Sequence, residues 1–178
     1  MEPAAIVFAT EVGIPSYGSV PLEAVLMICA TNRDVIYRNF WKIRAPIAIT
    51  ELSQGQRDTL YYCLTTFGVD WITDESTPTI GYVLNEIAET IRNFDIRHIF
   101  TKGTVQEKHL RNLMSRHDIC ADVTDVTHIG MPKFKDYPHV GLAATCESHR
   151  TKPDKVTAFC PIHRGLQIKH FLDENDLF

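Results

Sequence analysis

At 178 residues, the chain is long enough to bury a full core, and it reads as one domain spanning 1–178. Hydrophobic residues at 44% and charged residues at 22% exclude a disordered or fibrous chain. A net charge of −4 excludes a general polyanion binder, because nonspecific nucleic-acid affinity rests on Lys and Arg neutralising phosphates.

In chain order, residues 4–10 form a short apolar run suited to a buried strand, followed by a turn at Gly13, Pro15 and Gly18. Residues 24–30 are a second apolar run, Thr31 to Asp34 a turn, and 35–43 a β-branched and aromatic third strand. Residues 53–66 read as a helix with Leu60, Cys63 and Leu64 on one side. Residues 78–94 carry apolar side chains at helical spacing, with Thr77 as cap and Pro78 in the first turn. A short strand at 97–101 precedes Thr104-x-x-Glu107, which reads as a capping box opening a helix to about Ser115. A strand at 119–124, an irregular stretch at 125–145 and a helix at 161–173 complete the chain. The predicted fold is α/β, an N-terminal antiparallel meander continued by alternating elements into a mixed sheet with flanking helices, in ribonuclease H-like order.

Five cysteines, no signal-peptide pattern and no run long enough to span a membrane point to a reducing compartment, nuclear or cytoplasmic. Cys29 and Cys63 lie in apolar surroundings and read as core. Cys146-x-x-His149 and Cys160-x-x-His163 are different: two such pairs, ten residues apart, are metal-ligand spacing. They can close a local Cys2His2 site. Alternatively Cys146, His149 and Cys160 take a fourth ligand from elsewhere.

Val20-Pro21-Leu22-Glu23 ahead of an apolar strand, together with the distant Cys146-x2-His149-x10-Cys160, resembles the Maelstrom domain. The resemblance spans roughly residues 4–172 and implies a ribonuclease H-like fold with a Glu-Cys-His-Cys structural zinc site. Carried over, the ligands are Glu23, Cys146, His149 and Cys160, a long-range staple instead of a local finger. It also implies a role in small-RNA silencing of the piRNA kind. The amino-terminal DNA-binding-type box of Maelstrom proteins is not among these residues.

Exonucleases of the DEDD type hold two metal ions on clustered carboxylates. On the first strand Glu11 is in place, but the leading aspartate position is Ala9. Glu107 stands where a second acid is expected, and Asp173 is distant. The incomplete set predicts that DEDD catalysis is absent. Weak catalytic candidates are Glu11, Glu107 and His139, the last in Tyr137-Pro138-His139. The expected function is a zinc-stabilised, DEDD-inactive domain binding single-stranded RNA or a protein partner through Lys102, Lys108, Arg111, Arg150, Lys152 and Lys155, with Tyr137 or Phe134 for stacking. The alternatives are a metal- or histidine-dependent ribonuclease and a protein-interaction module with a Cys2His2 site.

Overall fold

The computed structural model describes residues 2–140 and 145–178. Its strands are β1 (Ala4–Ile14), β2 (Gly18–Cys29), β3 (Val35–Lys42), β4 (His98–Thr101) and β5 (Asp122–Asp125). They form one sheet in the order β3-β2-β1-β4-β5. The first three are antiparallel, and β4 and β5 run parallel to β1. The helices are α1 (Gln54–Phe67), α2 (Ile80–Asn93), α3 (Thr104–Arg116), α4 (Glu147–Arg150), α5 (Asp154–Thr157) and α6 (Pro161–Glu174). This is the expected mixed α/β architecture. Residues 141–144 of the irregular stretch lie outside the described residues.

β2 is a continuous apolar run because both of its faces are covered. Ala24, Leu26 and Ile28 pack with Val83, Ile87 and Ile91 of α2 and with Leu110 and Leu113 of α3. The alternate residues Val25, Met27 and Cys29 pack with Ile162, Ile168 and Leu172 of α6. A third cluster joins Val12, Ile14, Val20 and Leu22 to Leu60 of α1. β1 and β2 slip in register here: Thr10 faces Glu23, whereas Glu11 faces Pro21. The extra residue, Leu22, is a bulge, which suits the missing N–H of Pro21. Glu23 thereby joins the run of odd-numbered residues that continues with Val25 and Met27 on the α6 side.

Two predicted helix starts are corrected. α3 begins at Thr104 with Gly103 as its cap residue, at φ 113°, and no side chain caps it. Thr104 is thus one residue too far in to cap, and Glu107 instead pairs with Arg111 one turn on, at 3.0 Å. α2 is capped by Thr79, whose hydroxyl accepts from the N–H of Tyr82, so Thr77 and Pro78 precede the helix. The true capping box lies at α1, where Ser53 accepts from the Gln56 N–H and the Gln56 side chain accepts from the Ser53 N–H.

Leu26 is fully buried between β2 and the α2–α3 layer. Leu26→Ala is expected to cost about 2–5 kcal/mol, read as a lowered urea midpoint with an unchanged m-value.

Candidate metal centre

Cys146 precedes α4, His149 lies within it, and Cys160 precedes α6. These two short helical turns, α4 and α5, fold the 146–160 segment back on itself. Sequence periodicity misses them, since four residues are too few to show a period. The donor atoms of Cys146, His149 and Cys160 lie within 4.8 Å of one another, and all three residues are buried. Cys146 Sγ is 3.0 Å from His149 Nδ1, and the Cys146 backbone N–H donates to Cys160 Sγ at 3.2 Å. The backbone amide of His163 supports the Cys160 sulfur as well.

Glu23 reaches this cluster from the middle of the sheet. Its Oε1 is 3.8 Å from His149 Nδ1. The residue is 1% exposed, and neither carboxylate oxygen accepts a hydrogen bond among the described residues. Burial pushes its carboxyl up to about 7, with His149 opposing the rise and Cys146 adding to it. Around Cys146, hydrogen bonding with Cys160 leads the effects that hold its thiol well below the usual range, whereas the Cys160 thiol is raised. Burial opposes protonation of His149, but Cys146, the Phe67 carbonyl and Glu23 outweigh it and raise its pKa.

The donor chemistry suits a metal. Two sulfurs and an imidazole nitrogen are donors that zinc and similar ions take, and the Glu23 carboxylate lies beside them, outside the group whose donor atoms fall within 4.8 Å. His149 Nε2 lies 2.9 Å from the carbonyl of Phe67, the last residue of α1. A proton on Nε2 donates there and leaves Nδ1 as the donor atom facing Cys146 and Glu23. The next carbonyl, that of Gly68, accepts from Lys152 Nζ at 2.6 Å. α1 therefore ends against the cluster, its last carbonyls satisfied by a candidate ligand and a cation.

His163, the rival fourth ligand, is also buried; its Nδ1 has no hydrogen bond among the described residues, while its other nitrogen is engaged elsewhere. Its Nε2 accepts from the Val140 N–H at 3.2 Å, and its ring lies 4.1 Å from that of His139. Burial, aided by His139, holds His163 down to about 4, so it is neutral.

The candidate acids are dispersed. Glu11 accepts from Ser19 and lies 3.8 Å from His109, at the wall of a 620 Å³ cavity between the sheet and α2–α3. Glu107 sits with Arg111, Asp125 and His128. Asp173 pairs with Lys169 at 2.6 Å. The side chain facing Ala9 is Gln106, which the sequence reading passed over: its amide binds the Ala9 N–H at 3.0 Å and the Ala9 carbonyl at 2.9 Å. Of the basic candidates, Lys108, Arg111, Arg150 and Lys155 are exposed. Lys152 is tied to α1, and Lys102 donates to Thr127 and Met131.

No protein-family model matches the sequence, and neither does any curated protein. The fold has solved counterparts. Exonuclease I of E. coli in complex with a 5cy-dA13 oligonucleotide aligns at TM-score 0.56 and 12% identity, over 98% of this chain and 41% of that one. A moderately thermophilic exonuclease I from Methylocaldum szegediense aligns at TM-score 0.56 and 7% identity, over 99% and 41%. The zinc-bound form of the E. coli exonuclease I–ssDNA complex aligns at TM-score 0.53 and 10% identity, over 97% and 41%. The chain spans less than half the length of these proteins. At such identities the likeness defines a fold: this chain has the ribonuclease H-like fold of exonuclease I. Among the described residues, no helix is long and apolar enough to cross a membrane.

Two outcomes follow from this geometry. Gly68 has φ +66°, and a Cβ there would lie 2.3 Å from Val156 Cγ1 and 3.3 Å from His149 Nε2. Gly68→Ala is expected to lower the melting temperature and weaken metal retention together, read by calorimetry and elemental analysis. In the metal-stripped protein, Glu23 binds its proton more tightly folded than unfolded. Its contribution is therefore fully present below pH 4.5 and is lost as pH rises toward 7, by roughly 3 kcal/mol. Denaturant titrations across this window should show the decline in wild type and a shallower one in Glu23→Gln. Metal should reverse the trend, because binding requires deprotonated ligands.

Proposed function

We propose that this chain is a zinc-stapled, DEDD-inactive ribonuclease H-like domain that binds single-stranded nucleic acid. The observation that carries the reading is Glu23: a buried carboxylate whose oxygens lack hydrogen bonds among the described residues, next to a buried Cys-His-Cys cluster. Such a group calls for a cation, and the donor set matches zinc. Glu23, Cys146, His149 and Cys160 would hold the ion, whose part is structural. The catalytic half of the reading rests on the dispersed acids. Glu11, Glu107 and Asp173 have separate partners, and the backbone of Ala9 is closed off by Gln106. A two-metal hydrolytic site needs those carboxylates together.

The nucleic-acid half is supported by the fold shared with exonuclease I, which is described with single-stranded oligonucleotides. RNA is the ligand that the Maelstrom resemblance favours, with small-RNA silencing as its setting. A protein partner is the reading that remains if no oligonucleotide binds.

Zinc content should be near one equivalent in wild type and in His163→Ala, and lost in Glu23→Ala; loss in His163→Ala alone would instead establish a local Cys2His2 site. Repurified protein with Mg²⁺ or Mn²⁺ should leave labelled single-stranded RNA intact. Degradation that disappears in Glu11→Gln would overturn the inactive assignment.

A further inference from the structure

Arg164 lies in the first turn of α6 and is partly buried. Its guanidinium carbon is 4.6 Å from the ring centroids of Phe134 and Phe159, and 5.8 Å from that of Phe8. Its Nε donates to the Ala158 carbonyl at 3.2 Å. The terminal nitrogens make no hydrogen bond, and no carboxylate pairs with them, among the described residues. Burial lowers the Arg164 pKa to about 10, so at neutral pH it is a cation in an aromatic enclosure, with no counter-charge among the described residues.

A second cation borders the same ring. Lys102 Nζ is 5.6 Å from the Phe134 centroid. It spends two hydrogen bonds on Thr127 and Met131, and an ammonium has three donors. Asp125 offsets part of the Lys102 charge, which leaves Arg164 as the principal cation. Phe134 and Phe159 are both partly exposed. Lys102 directly follows the C-terminal end of β4, where parallel α/β sheets expose their ligand crevices.

We infer that Arg164, with Lys102, Phe134 and Phe159, forms a pocket for a backbone phosphate of single-stranded nucleic acid. A guanidinium fork matches two phosphate oxygens, and an adjacent ring offers a face for the neighbouring base. The inference rests on the nucleic-acid reading proposed above and gives that reading its contact. It requires no metal at this point: the phosphate charge is met directly by side-chain cations.

The test is fluorescence anisotropy of a labelled oligouridylate titrated with zinc-loaded protein over a series of salt concentrations. Wild type is compared with Arg164→Gln, Phe134→Ala and Arg38→Gln. Arg38 is exposed on β3 and supplies the same change in net charge. Arg164→Gln should weaken binding about tenfold or more and reduce the salt slope by about one. Phe134→Ala should weaken it by at least fivefold with the slope unchanged. It also decides the matter if Arg164→Gln does not fold: unchanged affinity in Phe134→Ala overturns the pocket. Wild-type affinity in Arg164→Gln, or an equal loss in Arg38→Gln, overturns the pocket and leaves nucleic-acid binding standing. If wild type binds no oligonucleotide, the nucleic-acid reading falls and the pocket with it.

Discussion

The carboxylate of Glu23 constrains this molecule more than any other group. It projects from an internal strand into a buried cluster, and neither oxygen finds a donor among the described residues. An ionised carboxylate buried without a partner costs several kcal/mol, so such a group neutralises or acquires a cation. Protonation is the metal-free solution, and the pKa near 7 expresses it. A cation shared with two sulfurs and an imidazole is the other. The second solution ties β2 to the 146–160 segment and α6, which are far apart in sequence.

The same cluster explains how α1 is held. Helix ends leave carbonyls in need of donors, and those of Phe67 and Gly68 take theirs from His149 and Lys152. Gly68 is required twice over, for its positive φ and for the space that Val156 occupies. The imidazole is thereby oriented by a helix that precedes it by some eighty residues. Ligand geometry and the docking of α1 are one structural fact, and loss of either is felt by the other.

The elements with strong periodicity or long apolar runs were legible in the sequence. β3, α2 and α6 fall within about two residues of their expected places, whereas β1 and β2 extend past the expected apolar runs, β1 through Gly13 to Ile14 and β2 from Gly18. The helix starts were less so, because a Thr-x-x-Glu pattern does not say which residue stands at the cap. Gly103, with its positive φ, took that place from Thr104, while Ser53-x-x-Gln56 formed the box that went unnoticed. At the metal centre the Cys-His-Cys triad was visible as spacing, but Glu23 came only from the resemblance. Its isolation as a buried acid depends on a bulge at Leu22 and on both faces of the sheet being covered. Gln106 and Arg164 were missed for a related reason: a lone polar residue on a helix looks solvated until its partners are known.

Those two residues bear on what the fold can do. Midway along β1, just past its pairing with β4, one position is Ala9, whose N–H and carbonyl are both bound by the Gln106 amide. The adjacent position, on the other face, is Phe8, which borders Arg164. Neither arrangement gathers negative charge; the acids that do cluster, Glu107 of α3 and Asp125 at the end of β5 with His128, lie apart from Glu11 and Asp173 in their pairing. On the reading proposed above, a domain built this way would retain nucleic acid instead of cutting it. On that reading a bound metal would serve the fold, tying β2 to the 146–160 segment and α6.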